Sequence, residues 1–257
     1  MKIGICVGED IFKLAKDNGF AFAEPSIQLF RNLDKTRLSE VKKKTEDSGI
    51  TVDGYNGFFG PDVSLYKDTF ESLTDYSLRN LEICAYFNSS YFVIGSGRAR
   101  SFTEDTDIEK AKERFMKLVD WIGTKAKEYN TKIYIEPLNY NETNYINTLK
   151  EGVEFCRSLN NSNVGALVDL FHFYKNGESL DDFDILKPGE LKHVHIARPD
   201  PDRDAPIRAD EKAISIWANK LKQIGYDGRV ALECLWKYGY EHSIKEAGEV
   251  MGIFCGE

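Results

Sequence analysis

The chain lacks a membrane-length apolar run, a glycine-rich phosphate loop, paired cysteines and any excess of basic charge, and each absence removes a class of function. Its 34 basic against 42 acidic side chains, a net charge of −8, argue against a protein that grips a phosphate backbone through a broad basic face, so nucleic acid is not an expected partner. Five cysteines (Cys6, Cys84, Cys156, Cys234 and Cys255) are odd in number, scattered and never in a C-x-x-C pair. They suggest neither a disulfide framework nor a zinc knuckle, and a reducing cytoplasm is the expected location. Met1-Lys2 is followed by only six apolar or small residues before Glu9-Asp10, too few for a signal segment, so neither secretion nor membrane association is expected. The first apolar run leads into Gly8-Glu9-Asp10-Ile11, which puts two acids where a pyrophosphate would sit in a dinucleotide-binding open sheet, and no Walker A sequence occurs. Gly95-Ser96-Gly97, a lone small glycine cluster, suits a tight turn better than a ligand.

What remains is a globular composition, 42% hydrophobic and 30% charged over 257 residues, enough to bury a sizeable core. Short apolar runs alternate with helical periodicity and no linker interrupts them. Eight strands are predicted: Lys2 to Val7, Phe20 to Glu24, Ile50 to Gly54, Tyr91 to Gly95, Lys132 to Pro137, Val164 to Asp169, Leu191 to Ala197 and Arg229 to Leu235. Thr106-x-x-Glu109, Thr148-x-x-Glu151 and Ser243-x-x-Glu246 have the form of capping boxes at helix starts. Glu211 to Gly225 sets Ile214, Trp217, Leu221 and Ile224 on one helical face before Gly-Tyr-Asp-Gly and the last strand. Eight βα units of about 32 residues predict an α/β fold, a single (β/α)8 TIM barrel over residues 1–257.

Each of the last four predicted strands carries an ionisable residue where a core strand should be apolar: Glu136, Asp169, His195 and Glu233. All four have apolar neighbours, so strand alternation points all four into the barrel, and all lie near the C-terminal strand ends, where barrel enzymes carry their active sites. Singly, a glutamate suits a salt bridge, an aspartate a helix cap and a histidine a core hydrogen bond. Four in one phase and at one height make a divalent-metal site, because three carboxylates buried together repel without a cation. Three oxygens and one imidazole suit Mn²⁺, Mg²⁺ or Co²⁺ better than a structural zinc site built from thiolates. Glu24, inward-phased on the second strand, reads as a structural partner of a neighbouring base, His193 as barrel packing, and Asp53 is unassigned.

The stretches Ile135-Glu136-Pro137-Leu138-Asn139-Tyr140-Asn141-Glu142, Val168-Asp169-Leu170-Phe171-His172, His193-Val194-His195-Ile196 and Leu232-Glu233, with Gly225-Tyr226-Asp227-Gly228 just before the last, resemble the xylose isomerase-like TIM barrels. Within them the likeness is greatest to the sugar isomerases and epimerases, which include D-tagatose and D-psicose 3-epimerases and hydroxypyruvate isomerases. It is strong over residues 130–236 and weak before them. The resemblance implies Glu136, Asp169, His195 and Glu233 as metal ligands, Glu136 and Glu233 doubling as the acid/base pair, with Mn²⁺ as the first choice of metal and Mg²⁺, Co²⁺ or Zn²⁺ as alternatives. It implies Glu142 and His172 as holders of substrate oxygens. Where the family places an arginine, six residues beyond His195, this chain has Pro201, leaving Arg198, Arg203 or Arg208; Arg198 is assigned the substrate contact.

These expectations describe a metal-dependent isomerase or epimerase of a small sugar, working by removal of a proton next to a carbonyl. Two glutamates acting on opposite faces give epimerisation; one glutamate moving the proton between adjacent carbons gives isomerisation; loss of a β-hydroxyl makes the enzyme a dehydratase. A non-catalytic carbohydrate-binding member of the same superfamily is a further alternative. The AP endonucleases that share the barrel need more histidines than the four present here. Tyr55, Phe58, Phe59 and Tyr66 suit a sugar-pocket wall, the core or the interface of a homo-oligomer.

Overall fold

A computed structural model describes residues 1–198 and 202–256. Its strands are β1 Lys2–Ile5, β2 Phe22–Ala23, β3 Thr51–Val52, β4 Gly54–Tyr55, β5 Tyr91–Ile94, β6 Lys132–Ile135, β7 Val164–Asp169, β8 Leu191–Ile196 and β9 Arg229–Leu232. All pair in parallel in one sheet of order β3-β2-β1-β9-β8-β7-β6-β5-β4. The two edges, β3 and β4, are separated by Asp53 alone. Its N–H donates to Ala23 O at 3.2 Å on one side, and its carbonyl accepts from Ser90 N at 2.7 Å on the other. One five-residue segment therefore serves both neighbours and shuts the barrel, and the eight expected staves are present with the third divided at this residue. Asp53 also accepts from Lys2 and Arg229, each at 2.8 Å, at the opposite end of the barrel from the ionisable cluster.

The helices are α1 Phe12–Asp17, α2 Lys35–Ser48, α3 Phe70–Tyr86, α4 Gly97–Arg100, α5 Ile108–Glu128, α6 Leu149–Leu159, α7 Leu170–Lys175, α8 Glu211–Gln223 and α9 Tyr240–Met251. Of the three expected capping boxes, Thr148 with Glu151 forms at the start of α6. The second is displaced by one residue: Asp107, at least as good a cap as the threonine before it, accepts from Lys110 N, and Thr106 bonds Thr103 instead. The third is overturned, because α9 begins four residues earlier, after Gly239 at φ 80°, which leaves Ser243 and Glu246 inside the helix. In α8 the buried side chains are Ile214, Trp217, Ala218 and Leu221, the face the periodicity marks out. Among the described residues no helix is long and apolar enough to cross a membrane, and all five cysteines are free thiols.

Two cores result from strand alternation. Outward residues pack under the helices, and Tyr55, Phe58 and Phe59 belong to that core, with Tyr66 half-buried against it. Inside the barrel a smaller cluster of Phe22, Tyr91, Val93, Leu167 and Ala231 forms a floor. Its two large rings need room: a Cβ on Gly4 would collide with the ring of Phe22, and one on Gly54 with that of Tyr91. Two residues further along the same strands, on the same face, come Glu24, Asp169 and Glu233. The ionisable layer therefore rests directly on an apolar floor.

Candidate active site

Register delivers the four expected residues to one place. Asp169 and His195 are paired neighbours on β7 and β8. Glu136 and Glu233 continue β6 and β9, their N–H groups donating to Ile94 O at 3.2 Å and Ile196 O at 2.8 Å. One ligand atom from each of the four lies within 4.8 Å of the others. His195 Nδ1 stands 3.0 Å from Glu233 Oε2 and 3.2 Å from Glu136 Oε1. Asp169 and His195 are wholly buried, whereas 24% of the Glu233 side chain is exposed, so Glu233 faces the mouth. The only side chain that fits beneath Glu136 is none: a Cβ on Gly95 would run into Glu136 Oε2.

Asp169 serves twice. Its Oδ1 accepts from Phe171 N at 2.8 Å, capping α7, and its Oδ2 stays in the cluster. Behind the cluster, Glu24 Oε1 accepts from His195 Nε2 at 2.8 Å, and its Oε2 accepts from His193 Nε2 at 2.7 Å and Tyr91 OH at 2.5 Å. Glu24 is thus the partner of a base, and His193 packs among Tyr91, Tyr134 and Phe22. Cys6 also comes within 4.8 Å of Glu24 and His195, but that carboxylate is already engaged by three donors.

The charges polarise one another. Burial pushes Glu136 up, and the Glu233 carboxylate adds to the effect. Burial acts on Glu233 in the same sense, yet Arg203 and His195 together outweigh it and hold Glu233 well below the usual carboxylate range. Glu24, despite burial, is pulled down to about 2 by the two histidines. His195 is raised, the Glu24 and Glu233 charges overcoming burial. Two glutamates with opposed shifts across one imidazole suit an acid and a base.

His172 and Glu142 meet through a residue the sequence did not single out. Asn139 Nδ2 lies 2.7 Å from His172 Nδ1 and donates to Glu142 Oε1 at 2.8 Å, while Asn139 Oδ1 accepts from Asn141 N. With the amide nitrogen donating, His172 Nδ1 must accept and Nε2 must carry the proton. That Nε2 is buried, lacks a partner among the described residues, and is 3.5 Å from Asp169 Oδ2.

Of the three candidate arginines, Arg203 enters the cluster. Its Nη2 donates to Asp169 Oδ2 and Glu233 Oε2, each at 2.6 Å, and its guanidinium lies 5.2 Å from the Phe171 ring centre. Arg198 instead directs Nε to Asp210 Oδ2 at 3.1 Å, and Arg208 pairs with Glu249 on the surface. Pro201 lies outside the described residues. Asn56, just past β4, completes the ring by donating to Glu233 Oε1 at 3.4 Å.

A family model described as xylose isomerase-like TIM barrel matches residues 12–252. The chain is 25% identical to the D-psicose 3-epimerase of Ruminiclostridium cellulolyticum over 239 residues, 89% of this chain and 78% of that one. It is 27% identical to the inosose isomerase of Bacillus licheniformis over 156 residues, 55% of each chain. A D-psicose 3-epimerase from Clostridium cellulolyticum H10, solved with D-tagatose, shares the fold with a TM-score of 0.82 at 19% identity, over 100% of this chain and 99% of that one.

Proposed function

The chain belongs to the xylose isomerase-like TIM barrel family, and from that premise we propose that it is a metal-dependent epimerase or isomerase of a small sugar or related hydroxy-carbonyl compound. The observation that carries this reading is the meeting of Glu136, Asp169, His195 and Glu233 within 4.8 Å at the C-terminal end of the barrel. The donor set fits a divalent ion, since three carboxylates and an imidazole each offer an atom within 4.8 Å of the others, and Arg203 pairs with only two of the carboxylates, Asp169 and Glu233, leaving Glu136 buried without it. Glu136, Asp169, His195 and Glu233 would hold that ion, Mn²⁺ first, with Mg²⁺, Co²⁺ or Zn²⁺ as alternatives. When bound it supplies Lewis-acid stabilisation of negative charge on the substrate's oxygens.

The chain's own groups account for the rest. Glu136 and Glu233 stand three places apart in the sheet order, so they approach the space between them from different sides. One removes a proton from the carbon next to the carbonyl, and the other returns one to the opposite face, which inverts that carbon. If the same glutamate returns the proton at the neighbouring carbon, the result is aldose–ketose isomerisation. His172 Nε2–H, a donor without a partner among the described residues, is suited to a substrate oxygen; Glu142 accepts from a hydroxyl at the more exposed rim. Arg203 carries the substrate contact that the loop after β8 offers, and Arg198 anchors that loop through Asp210.

The names of the relatives make ketohexoses and inososes the first compounds to try. Metal content and exchange of substrate C–H for solvent deuterium, on the wild type beside Glu233→Gln, test the reading with D-fructose, D-psicose, D-tagatose, hydroxypyruvate and an inosose. Exchange that requires both metal and Glu233 supports it, and the carbon that exchanges separates epimerase from isomerase. A protein that binds no divalent metal overturns it.

A further inference from the structure

The proposed mechanism makes no use of Glu24, a wholly buried carboxylate. Glu24, His193, His195 and Tyr91 are all at 0% exposure, so the three hydrogen bonds on Glu24 have no water to replace them. Its two oxygens divide the work: Oε1 faces His195 alone, while Oε2 takes both His193 and Tyr91. Its backbone is fixed as well, with its N–H donating to Ile5 O at 2.9 Å.

We propose that Glu24 is a positioning residue, which keeps His195 in the tautomer and ring orientation that present the Nδ1 lone pair to the metal. The inference rests on the metal-dependent reading of the site. An ionised carboxylate only accepts, so the His195 nitrogen against it must donate, and a neutral imidazole then has its lone pair on the other nitrogen. That other nitrogen is the one facing Glu136 and Glu233 at 3.2 and 3.0 Å. The donors on Oε2 prevent the carboxylate from turning to any other partner. β2 thereby belongs to the active site although Glu24 stands behind a ligand and contacts no substrate position. Carboxylate partners of ligating histidines typically change metal affinity by 10–100-fold when removed.

The test compares Mn²⁺ affinity by calorimetry for the wild type, Glu24→Gln, Glu24→Met and Tyr91→Phe, with thermal melts to establish folding. Gln can still accept from His195 without the charge; Met fills the space and accepts nothing; Tyr91→Phe removes a donor from Oε2 and leaves His195 untouched. The expected order is wild type, then Tyr91→Phe close behind because His193 still holds Oε2, then Glu24→Gln weaker by about tenfold and Glu24→Met by about 100-fold. A folded Glu24→Met that binds Mn²⁺ as the wild type does overturns the inference. Because that variant can fail to fold, nitrogen-15 spectra of zinc-loaded wild type, labelled at histidine, provide a second test: His195 should carry its proton on Nε2, and a proton on Nδ1 overturns the inference unaided. Wild type that binds neither metal rejects the metal-dependent reading itself, a result distinct from either of these.

Discussion

Arg203 holds Glu233 at two points: Nη2 donates to the carboxylate at 2.6 Å and Nε to the backbone carbonyl at 3.3 Å. Its own carbonyl accepts from Leu235 N at 2.8 Å, and its backbone sits at φ 53°. The loop after β8 and the loop after β9 are thereby tied together over the site.

Arg203→Met should therefore lower kcat/KM by on the order of 10²-fold, the scale of losing a charge-assisted contact to a reacting group. Arg203→Lys should not restore it, since one ammonium cannot reproduce a fork that meets two carboxylates and a carbonyl. Arg198→Ala, whose side chain is engaged with Asp210, should cost less than tenfold. Steady-state kinetics on whichever compound shows deuterium exchange decide the matter, and the reverse ranking would assign the substrate contact to Arg198.

Asp169 separates two roles on its two oxygens. Asp169→Asn keeps an acceptor for Phe171 N and so the cap of α7, yet removes a charged ligand. The variant should fold normally while binding Mn²⁺ at least as weakly as loss of an outer-shell partner would make it, by about 10–100-fold or more. For the wild type, Mn²⁺ at about 100 times its Kd should stabilise by about 2.7 kcal/mol, which is roughly 5–10 °C in Tm for a chain of this size. Melts with Mn²⁺ and with EDTA measure both effects; a wild-type Tm that ignores the metal contradicts the site.

Alternation along single strands was enough to place Glu136, Asp169, His195 and Glu233, because each is flanked by apolar residues and period two leaves no choice of face. It was also enough for Glu24 and His193. The division of the third strand at Asp53 was not visible, since it depends on which neighbour each half pairs with. Asn139 follows Glu136 by three residues but has no chemistry of its own; its part depends on its standing between His172 and Glu142. Arg203 and Asn56 lie in loops, where no periodicity fixes direction, and the choice of Arg198 among three arginines in eleven residues falls on a side chain that pairs with Asp210, while Arg203 reaches Asp169 and Glu233.

Glu178 supplies a pH dependence away from the metal site. Burial pushes its carboxyl up to about 7 against the pull of Leu149 N–H, with Asp182 and Glu151 adding to the rise. A folded-state value above the ordinary 4.5 means that the folded chain holds the proton more tightly. The stabilisation is fully present below about pH 4.5 and is lost as pH rises through about 7. Solvent screening at this half-exposed group limits it to about 1 kcal/mol, or roughly 2–4 °C. Metal-free Glu178→Gln should match the wild type near pH 5 and melt higher at pH 8; an equal offset at both values would remove Glu178 from the explanation.

Gly95→Ala tests whether the site depends on a close approach rather than on the ligands alone. Its Cβ would overlap Glu136 Oε2, so either the carboxylate leaves the cluster or β5 shifts. The backbone at Gly95 is not in the left-handed region, so the added methyl brings contact without dihedral strain. Glu136 is also fixed from behind, where Arg100 Nη2 donates to its carbonyl at 2.8 Å, and its main chain cannot retreat. With its main chain held, Glu136 relieves the overlap most easily by rotating its carboxylate away. Activity should fall by at least about 10²-fold with weakened metal binding, because a displacement of about 1 Å at a catalytic group costs that much. Far-ultraviolet circular dichroism should be unchanged. If Gly95→Ala retains full activity, Glu136 tolerates displacement and is not the group that handles the proton.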